Sequence, residues 1–281
     1  MVVKVLKPVT AGRRGMSIVQ RFGVLTKIKP NKALTRGAKR QSGRNARGVI
    51  TVQARGGGAK QRMRQVDLKQ SKLGVPATIR SIEYDPKRSS YIALAIFLDG
   101  EKTYILAPHD LKVGDRIVYN PNTKVKPGNR LMLKNIPAGI PIHNIELQPG
   151  RGGQLVRSAG GAATITSFDK DKALVKMPSG EVRLVPKEAF ASVGLLSNPD
   201  HSHISFGKAG RRRRMGHRPR VRGKAKNPVD HPHGGGEGGS PIGLKHPKTP
   251  TGKPTKGYKT RKKSRSTKHI VKPRGKRRRG R

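Results

Sequence analysis

The chain has 281 residues, with 63 Lys and Arg against 15 Asp and Glu, so its formal net charge is +48. Self-repulsion at this charge density opposes compaction unless a polyanion supplies the countercharge. No cysteine is present, which excludes disulfides, thiolate zinc sites and a cysteine nucleophile. The longest apolar run, Tyr91 to Leu98, is far shorter than the roughly 20 residues that a membrane helix needs.

Acidic residues are concentrated in the middle of the chain. Residues 1–64 contain 17 Lys and Arg and no acid, whereas 13 of the 15 acids lie in residues 65–200. The ends are also rich in Gly and Pro, which oppose regular helices. This distribution predicts a folded centre between two long basic, largely irregular extensions that are disordered when free in solution. The predicted division is an N-terminal extension over 1–64, barrels over 65–130 and 131–200, and a C-terminal extension over 201–281.

Strand signals dominate the centre. Residues 77 to 84 favour a strand with Thr78, Arg80 and Ile82 on one face, and the apolar run from Tyr91 to Leu98 predicts a second strand. The pair Asp99-Gly100 predicts a type I′ hairpin turn into a third strand over 102–106. Further short strands are predicted over 116–119, 142–147, 163–168, 173–177 and 181–185. Many short strands without helical periodicity predict an all-β protein with two small barrels.

Two loops combine cations with glycines. The stretch from Arg55 to Arg64 contains three consecutive glycines, which let the backbone approach a phosphate closely. Residues 148–161 form a comparable loop that presents Arg151 and Arg157, and Arg88 lies in a turn of the first barrel. Most aromatic residues lie in the predicted strands, so stacking on single strands is disfavoured. We therefore expect recognition of folded RNA through its phosphates and shape.

The segment from Asn227 to Gly238 departs from its basic surroundings. Asp230, His231, His233 and Glu237 raise the alternative of a metal site or a hydrolytic centre. Two prolines and four glycines make a poor scaffold for fixed ligands, so an RNA-penetrating loop is preferred. A basic chromatin or nucleoid protein is the other alternative that the composition allows.

Several motifs resemble one family of proteins. They include Arg55-Gly56-Gly57-Gly58, Tyr84-Asp85-Pro86, His143-Asn144-Ile145-Glu146-Leu147 and the segment Gly152-Gly153-Gln154-Leu155-Val156-Arg157. The most specific is Asn227 to Gly238, followed by Lys259-Thr260-Arg261. On these motifs the chain resembles the bacterial-type family of large-subunit ribosomal protein two (universal protein L two), with matches from about residue 4 to 272.

The resemblance implies an OB-fold barrel followed by an SH3-like barrel, with the extensions threaded into large-subunit rRNA. It implies a structural, non-enzymatic primary rRNA-binding protein that supports subunit association and the architecture near the peptidyl-transferase centre. In this family His231 has been considered a contributor to peptidyl transfer, and we interpret it as structural support. The implied partners are large-subunit rRNA, neighbouring ribosomal proteins and the small subunit across the intersubunit face, with no membrane.

The implied location is the large ribosomal subunit in the cytoplasm. We expect no catalytic residue, protein-held metal or cofactor, while structural Mg²⁺ or K⁺ shared with rRNA remains open. The cations predicted to contact RNA are Arg44, Arg47, Arg55, Lys60, Arg62, Arg64, Arg88, Arg151, Arg157, Lys208, Arg211, Arg212, Arg213, Arg214, Arg218, Arg220, Arg222, Lys259 and Arg261. The loop predicted to lie near the peptidyl-transferase region contributes Asn227, Asp230, His231, His233, Gly234, Gly235, Gly236 and Glu237.

Overall fold

The computed structural model describes residues 3–26, 29–38, 42–257 and 265–275. Lys259 and Arg261, two of the predicted RNA contacts, lie outside the described residues. The described part of the chain forms two compact units. The β unit comprises described residues within 1–38, 60–208 and 266–281, and the basic unit those within 39–59 and 209–265.

Short strand pairs hold the N-terminal segments of the β unit. Strand β1 (Val3–Val5) pairs antiparallel with β2 (Ser17–Val19), and the one-turn helix α1 (Ala11–Arg14) lies in their connection. Strand β3 (Thr35–Gly37) pairs with β4 (Arg62–Arg64). Three residues carry too little periodicity for such strands to be predicted from the sequence.

A four-stranded antiparallel sheet follows, with strands where the sequence predicts them. Its members are β5 (Ala77–Glu83), β6 (Ile92–Phe97), β7 (Lys102–Leu106) and β8 (Arg116–Ile117), in the spatial order β7-β6-β5-β8. Strand β6 is apolar on both faces because both are covered. Phe97 packs in the main core of this sheet, whereas Leu94 packs against Leu34 and Val66 on the other side.

A β-bulge changes the predicted side-chain alternation of β5. Thr78 and Arg80 are exposed and Ile79 is buried, as alternation requires. The register against β6 then shifts between Ile79 and Ser81. Ile82, which strict alternation places with Thr78 and Arg80, is therefore buried.

The turn between β6 and β7 differs in type from the prediction. Gly100 has a positive φ of 85°, but Asp99 is not among the residues with positive φ, as a type I′ turn would require. The Gly100 N–H donates to the Phe97 carbonyl at 2.9 Å, and the Phe97 N–H donates to the Glu101 carbonyl at 2.9 Å. The loop thus has three residues, with glycine in the left-handed position of a G1 bulge.

The second half of the centre is built around a seven-stranded antiparallel sheet. The strands of this half are β9 (Arg130–Met132), β10 (Pro141–His143), β11 (Ile145–Glu146), β12 (Gly153–Leu155), β13 (Ala163–Asp169), β14 (Lys172–Lys176), β15 (Val182–Pro186), β16 (Phe190–Val193) and β17 (Ile270–Lys272). The order in the large sheet is β17-β15-β14-β13-β10-β16-β9, and β11 and β12 form a separate two-stranded pair. The core of the large sheet contains Leu131, Ile142, Ile165, Val175 and Val185, each at most 1% exposed.

Burial of His143 on β10 makes the stability of this sheet depend on pH. Its Nδ1 lies 2.8 Å from the Gly194 carbonyl, and burial lowers the pKa of His143 to about 4. The unfolded chain binds a proton there at about pH 6.5, so protonation favours unfolding as the pH falls through the interval between these values. We expect the free energy of unfolding to fall by about 1.4 kcal/mol per pH unit, and by about 3 kcal/mol down to pH 4.

Chemical denaturation at pH 7, 5.5 and 4.5 measures this dependence. The variant His143→Gln keeps an N–H donor for Gly194 but does not titrate, so its stability should change less over the same interval. Identical pH profiles for the variant and the parent chain would contradict the assignment to His143.

The basic unit contains little regular structure. Its helix α2 (Ala209–Arg214) has six residues, and Gly223–Ala225 form a single 3-10 turn. The run Arg211–Arg214 thus lies in a short helix within the extension that the sequence predicts to be largely irregular. Arginine has a high helix propensity. In addition, backbone hydrogen bonds join the end of this helix and the residues after it to the triple-glycine segment.

Strands account for nearly all regular structure of the described residues, which confirms the all-β class. The two α-helices among them have four and six residues. None of the described helices has the length and apolar composition that crossing a membrane requires.

Candidate RNA-binding surface

The triple-glycine segment pairs with the chain that follows α2. The Gly56 N–H donates to the Gly216 carbonyl at 3.0 Å, and the Ala59 N–H donates to the Arg214 carbonyl at 2.8 Å. A side chain on Gly58 would meet Gly216 and Arg214 backbone atoms at 3.0–3.2 Å. This glycine therefore permits close packing of two segments that are about 160 residues apart in the sequence.

One side-chain contact and further backbone contacts join the same two segments. Arg55 and His217 form an antiparallel bridge, and the Arg55 Nη1 lies 2.9 Å from the His217 Nδ1. On the other side, the Arg218 N–H donates to the Ala54 carbonyl at 3.0 Å. Segments from the two predicted extensions thus form one folded body, which the sequence pattern does not indicate.

The basic unit is strongly cationic. The described residues within 39–59 and 209–265 contain 17 Lys and Arg, and the only acids among them are Asp230 and Glu237. The predicted contacts Arg44, Arg47, Arg55, Arg212, Arg213, Arg214, Arg218, Arg220 and Arg222 are exposed, and Arg211 is half-buried. A compact body with so little compensating charge attracts polyanions and keeps its cationic groups accessible to them.

The segment Asn227–Gly238 folds as a tight loop around His231. The imidazole is 8% exposed, and its Nδ1 accepts a hydrogen bond from the His233 N–H at 3.1 Å. The Nε2 of His233 in turn accepts from the Lys248 N–H at 2.7 Å. The two imidazole rings lie 5.0 Å apart between their centres. The loop therefore holds its histidines in fixed positions, as a flexible linker would not.

Two glycines are required by the packing of this loop. A side chain on Gly234 would overlap the backbone of Asn227, and one on Gly223 would overlap the His231 ring. A Cβ on Gly223 would lie 2.5–2.7 Å from three ring atoms of His231, so the face of the imidazole lies against this glycine. These two glycines therefore serve the internal packing of the loop.

Among the described residues, neither the histidine loop nor any other region brings together three His, Cys, Asp or Glu side chains that could hold a metal ion.

The pKa of His231 is lowered by burial and by the neighbouring His233 and Lys226, which favours the neutral imidazole at pH 7. Glu237 accepts a hydrogen bond from the Ser240 hydroxyl at 3.0 Å.

In the β unit, a buried carboxylate fixes the loop that presents Arg151. Glu146 is 1% exposed, and its oxygens accept hydrogen bonds from the N–H groups of Gly150 and Gly152, both at 3.0 Å. The Arg130 Nη2 donates to the same carboxylate at 3.0 Å, and the Arg130 side chain is also fully buried. The exposed Arg151 thus belongs to a loop whose backbone is fixed by hydrogen bonds to the buried Glu146 carboxylate.

Arg130 and Glu146 are not singled out by the sequence patterns described above. The signal available in the sequence is a lone charge within an apolar strand pattern, since Arg130 precedes Leu131 and Glu146 follows Ile145. Such a charge is rarely buried unless it is paired. The spacing along the chain does not show that these two charges are each other's partners.

Arg157 and Arg88 occupy different environments. Arg157 is exposed, with its Nη1 3.4 Å from the Gly153 carbonyl. Arg88 is half-buried, and its Nη1 forms an ion pair at 2.6 Å with Asp85, whose side chain is fully buried. Part of the hydrogen-bonding capacity of Arg88 is therefore used within the protein, whereas Arg157 is freer to meet a phosphate.

The other predicted cations of the β unit lie on or beside its short elements. Arg62 and Arg64 belong to β4, where the Arg64 Nη1 donates to the Arg62 carbonyl at 3.1 Å. The stem of Lys208 lies next to Gly12 of α1. Lys60, Arg62 and Lys208 are exposed, and Arg64 is half-buried.

Two β-sheet cores joined to a cationic unit define a structural nucleic-acid-binding protein. Comparison with protein families adds two matches. Residues 31–119 match the model described as Ribosomal Proteins L2, RNA binding N-terminal domain, and residues 126–252 match Ribosomal Proteins L2, C-terminal domain. Together they cover 216 of the 281 residues.

The chain belongs to the ribosomal protein L2 family. It is therefore a structural ribosomal protein that binds rRNA in the large subunit, and it is not an enzyme. The two family domains and the curled sheets of the β unit agree with the prediction of two small barrels.

Proposed function

We propose that this protein binds rRNA through the exposed cations of the basic unit together with Arg151 and Arg157 of the β unit. The observation that carries the proposal is the compact basic unit, in whose described residues 17 Lys and Arg accompany two acids. Exposed guanidinium groups form strong charge-assisted hydrogen bonds with phosphates. The loops of the β unit add fixed contacts that recognise the shape of folded RNA.

The Asn227–Gly238 loop is proposed to lie near the peptidyl-transferase region and to support its architecture. The packed His231 ring and the glycines that accommodate it support a structural role for this loop. The motifs shared with bacterial-type large-subunit ribosomal protein two support further proposals. The protein is of the bacterial type, is located in the cytoplasm and supports association of the two subunits. It contacts the small subunit and neighbouring ribosomal proteins.

The division into extensions over 1–64 and 201–281 and barrels over 65–130 and 131–200 is also a proposal. Separate apolar cores support the two barrels, since one contains Ile79 and Ile105 and the other contains Ile142 and Val175. Folding of a fragment over 65–200 would test it.

Replacing Arg157 by Ala is expected to weaken binding to large-subunit rRNA about tenfold, because a charge-assisted hydrogen bond to phosphate is removed. The fold should be unaffected, since the side chain is exposed. Filter binding of the full chain measures the change in affinity, with Arg157→Lys as a control that keeps the charge. Arg88→Ala should also weaken binding, but it leaves the buried Asp85 unpaired and is the less specific test. Unchanged affinity of both alanine variants would contradict these contacts.

Replacing His231 by Ala is expected to impair assembly or activity of large subunits without unfolding the β unit. The His231→Asn variant carries a carbonyl oxygen that replaces Nδ1 as acceptor for the His233 N–H, so it should restore much of the function if the role is structural. His246→Ala, at an exposed position in the same unit, is the matched control. Full function of His231→Ala would contradict the proposal, and failure of His231→Asn would indicate that the imidazole itself is needed.

A further inference from the structure

A cavity of about 340 Å³ lies entirely within the basic unit, on one side of His231. Four cationic residues line it: Arg220, Arg222, Lys226 and Lys248. None of the described residues that line the cavity is an Asp or Glu. Four cations around one cavity without a lining carboxylate favour an anionic ligand.

The rest of the lining fits a ligand larger than a bare anion. Two hydroxyl-bearing residues, Thr249 and Thr255, and two apolar residues, Val221 and Pro250, also line the cavity. A volume of this size lies within the range of small-molecule sites. The combination suits a group that carries a phosphate on one side and a sugar or base on the other.

The backbone around the cavity is held in place. Thr249 Oγ1 accepts a hydrogen bond from the Lys253 N–H at 3.1 Å, and the Thr255 hydroxyl donates to the Pro247 carbonyl at 3.0 Å. The adjacent Lys248 donates its N–H to the His233 Nε2, and the His233 N–H donates to the His231 Nδ1. The cavity is thus connected with the histidine loop through direct hydrogen bonds.

We propose that this cavity holds one nucleotide of the bound rRNA, with its phosphate among Arg222, Lys226 and Lys248 and its sugar or base against Val221 and Pro250. The proposal rests on the rRNA-binding function proposed above, and adds a single-nucleotide site to a surface otherwise suited to phosphate contacts. His231 forms part of the wall of this site, so a bound nucleotide stabilises the loop in the conformation seen here. Lys226, Lys248, Thr249 and Thr255 are additions to the RNA contacts that the sequence predicts.

Footprinting of the full chain on large-subunit rRNA tests the site at nucleotide resolution. Lys248→Ala and Arg222→Ala should each lose protection of the same one or two nucleotides and weaken binding about tenfold. Lys248→Arg keeps the charge and should retain the protection. Lys245→Ala removes a cation from the same segment, at an exposed position outside the cavity. It is the matched control: it should weaken overall binding as the loss of any exposed cation of this unit does, but retain protection of those nucleotides.

The possible results distinguish failure of the proposed nucleotide site from failure of rRNA binding as a whole. If both cavity variants keep the full footprint, or if Lys245→Ala loses the same nucleotides, the proposed site is wrong while rRNA binding stands. If the parent chain protects no rRNA, the proposed function itself fails. Inorganic phosphate is the remaining probe: a phosphate-dependent rise in the unfolding temperature that Lys248→Ala abolishes, with an unchanged RNA footprint, would assign the cavity to free phosphate and overturn the nucleotide assignment.

Discussion

Replacing Glu146 by Ala should destabilise the β unit by about 3–5 kcal/mol, because it leaves the Arg130 guanidinium buried without its partner. The same substitution removes the acceptor of the Gly150 and Gly152 N–H groups. The Phe190 N–H, 3.2 Å from the carboxylate, also loses its acceptor. A destabilisation of this size is a large part of the total stability of an ordinary domain.

A double-mutant cycle with chemical denaturation measures this interaction. Arg130→Ala should be similarly destabilising, and the double variant should be less destabilised than the sum of the single variants, because neither charge then remains unpaired. Glu188→Ala is the control, since Glu188 is exposed, and should change the stability by less than about 0.5 kcal/mol. A destabilisation by Glu146→Ala no greater than that of the control would contradict the importance of the pair.

The largest expected effect on binding comes from salt. If the basic unit and the loops of the β unit neutralise about 6–10 phosphates, affinity for rRNA should fall about 10³–10⁵-fold between 50 and 200 mM salt. The logarithm of the binding constant should fall linearly with the logarithm of the salt concentration, with a slope of about −0.7 to −0.9 per phosphate.

Helix α2 offers a direct test of this dependence. Arg212, Arg213 and Arg214 are all exposed, so replacing all three by Ala should make the salt slope shallower by about one for each phosphate that is no longer neutralised. The matching triple replacement by Lys keeps the charges and should keep the slope. A flat salt response of the parent chain would show that the cations are not engaged with phosphates.

The strands of the centre could be predicted because each carries a local signal. In β5 the alternation of Thr78, Ile79 and Arg80 is enough to place a half-buried strand. The bulge that buries Ile82 has no such signal, since it depends on how β5 pairs with β6. The Asp-Gly pair at Gly100 predicts a turn, but the type of that turn depends on loop length, which the pair does not determine.

The residue types of the RNA-binding surface can be predicted from the sequence, but their arrangement in space cannot. Cations in Gly-rich segments are visible in the sequence, and the predicted RNA contacts that the structure describes are exposed or half-buried, as an RNA-binding surface requires. The contact of Arg55 with His217 joins residues that are 162 positions apart. No periodic pattern connects such segments, so the compact basic unit could not be predicted. The individual RNA contacts stay predictions.

The pairing of β17 with β15 has a consequence for synthesis of the protein. Val182 of β15 lies opposite Lys272, and Arg183 lies opposite Ile270. During translation, β15 leaves the ribosome about ninety residues before its partner, so one of its edges stays open while the basic segment is being made. An open edge can pair with other chains. A nascent chain that has stalled before residue 270 should therefore be more prone to aggregation than the completed one.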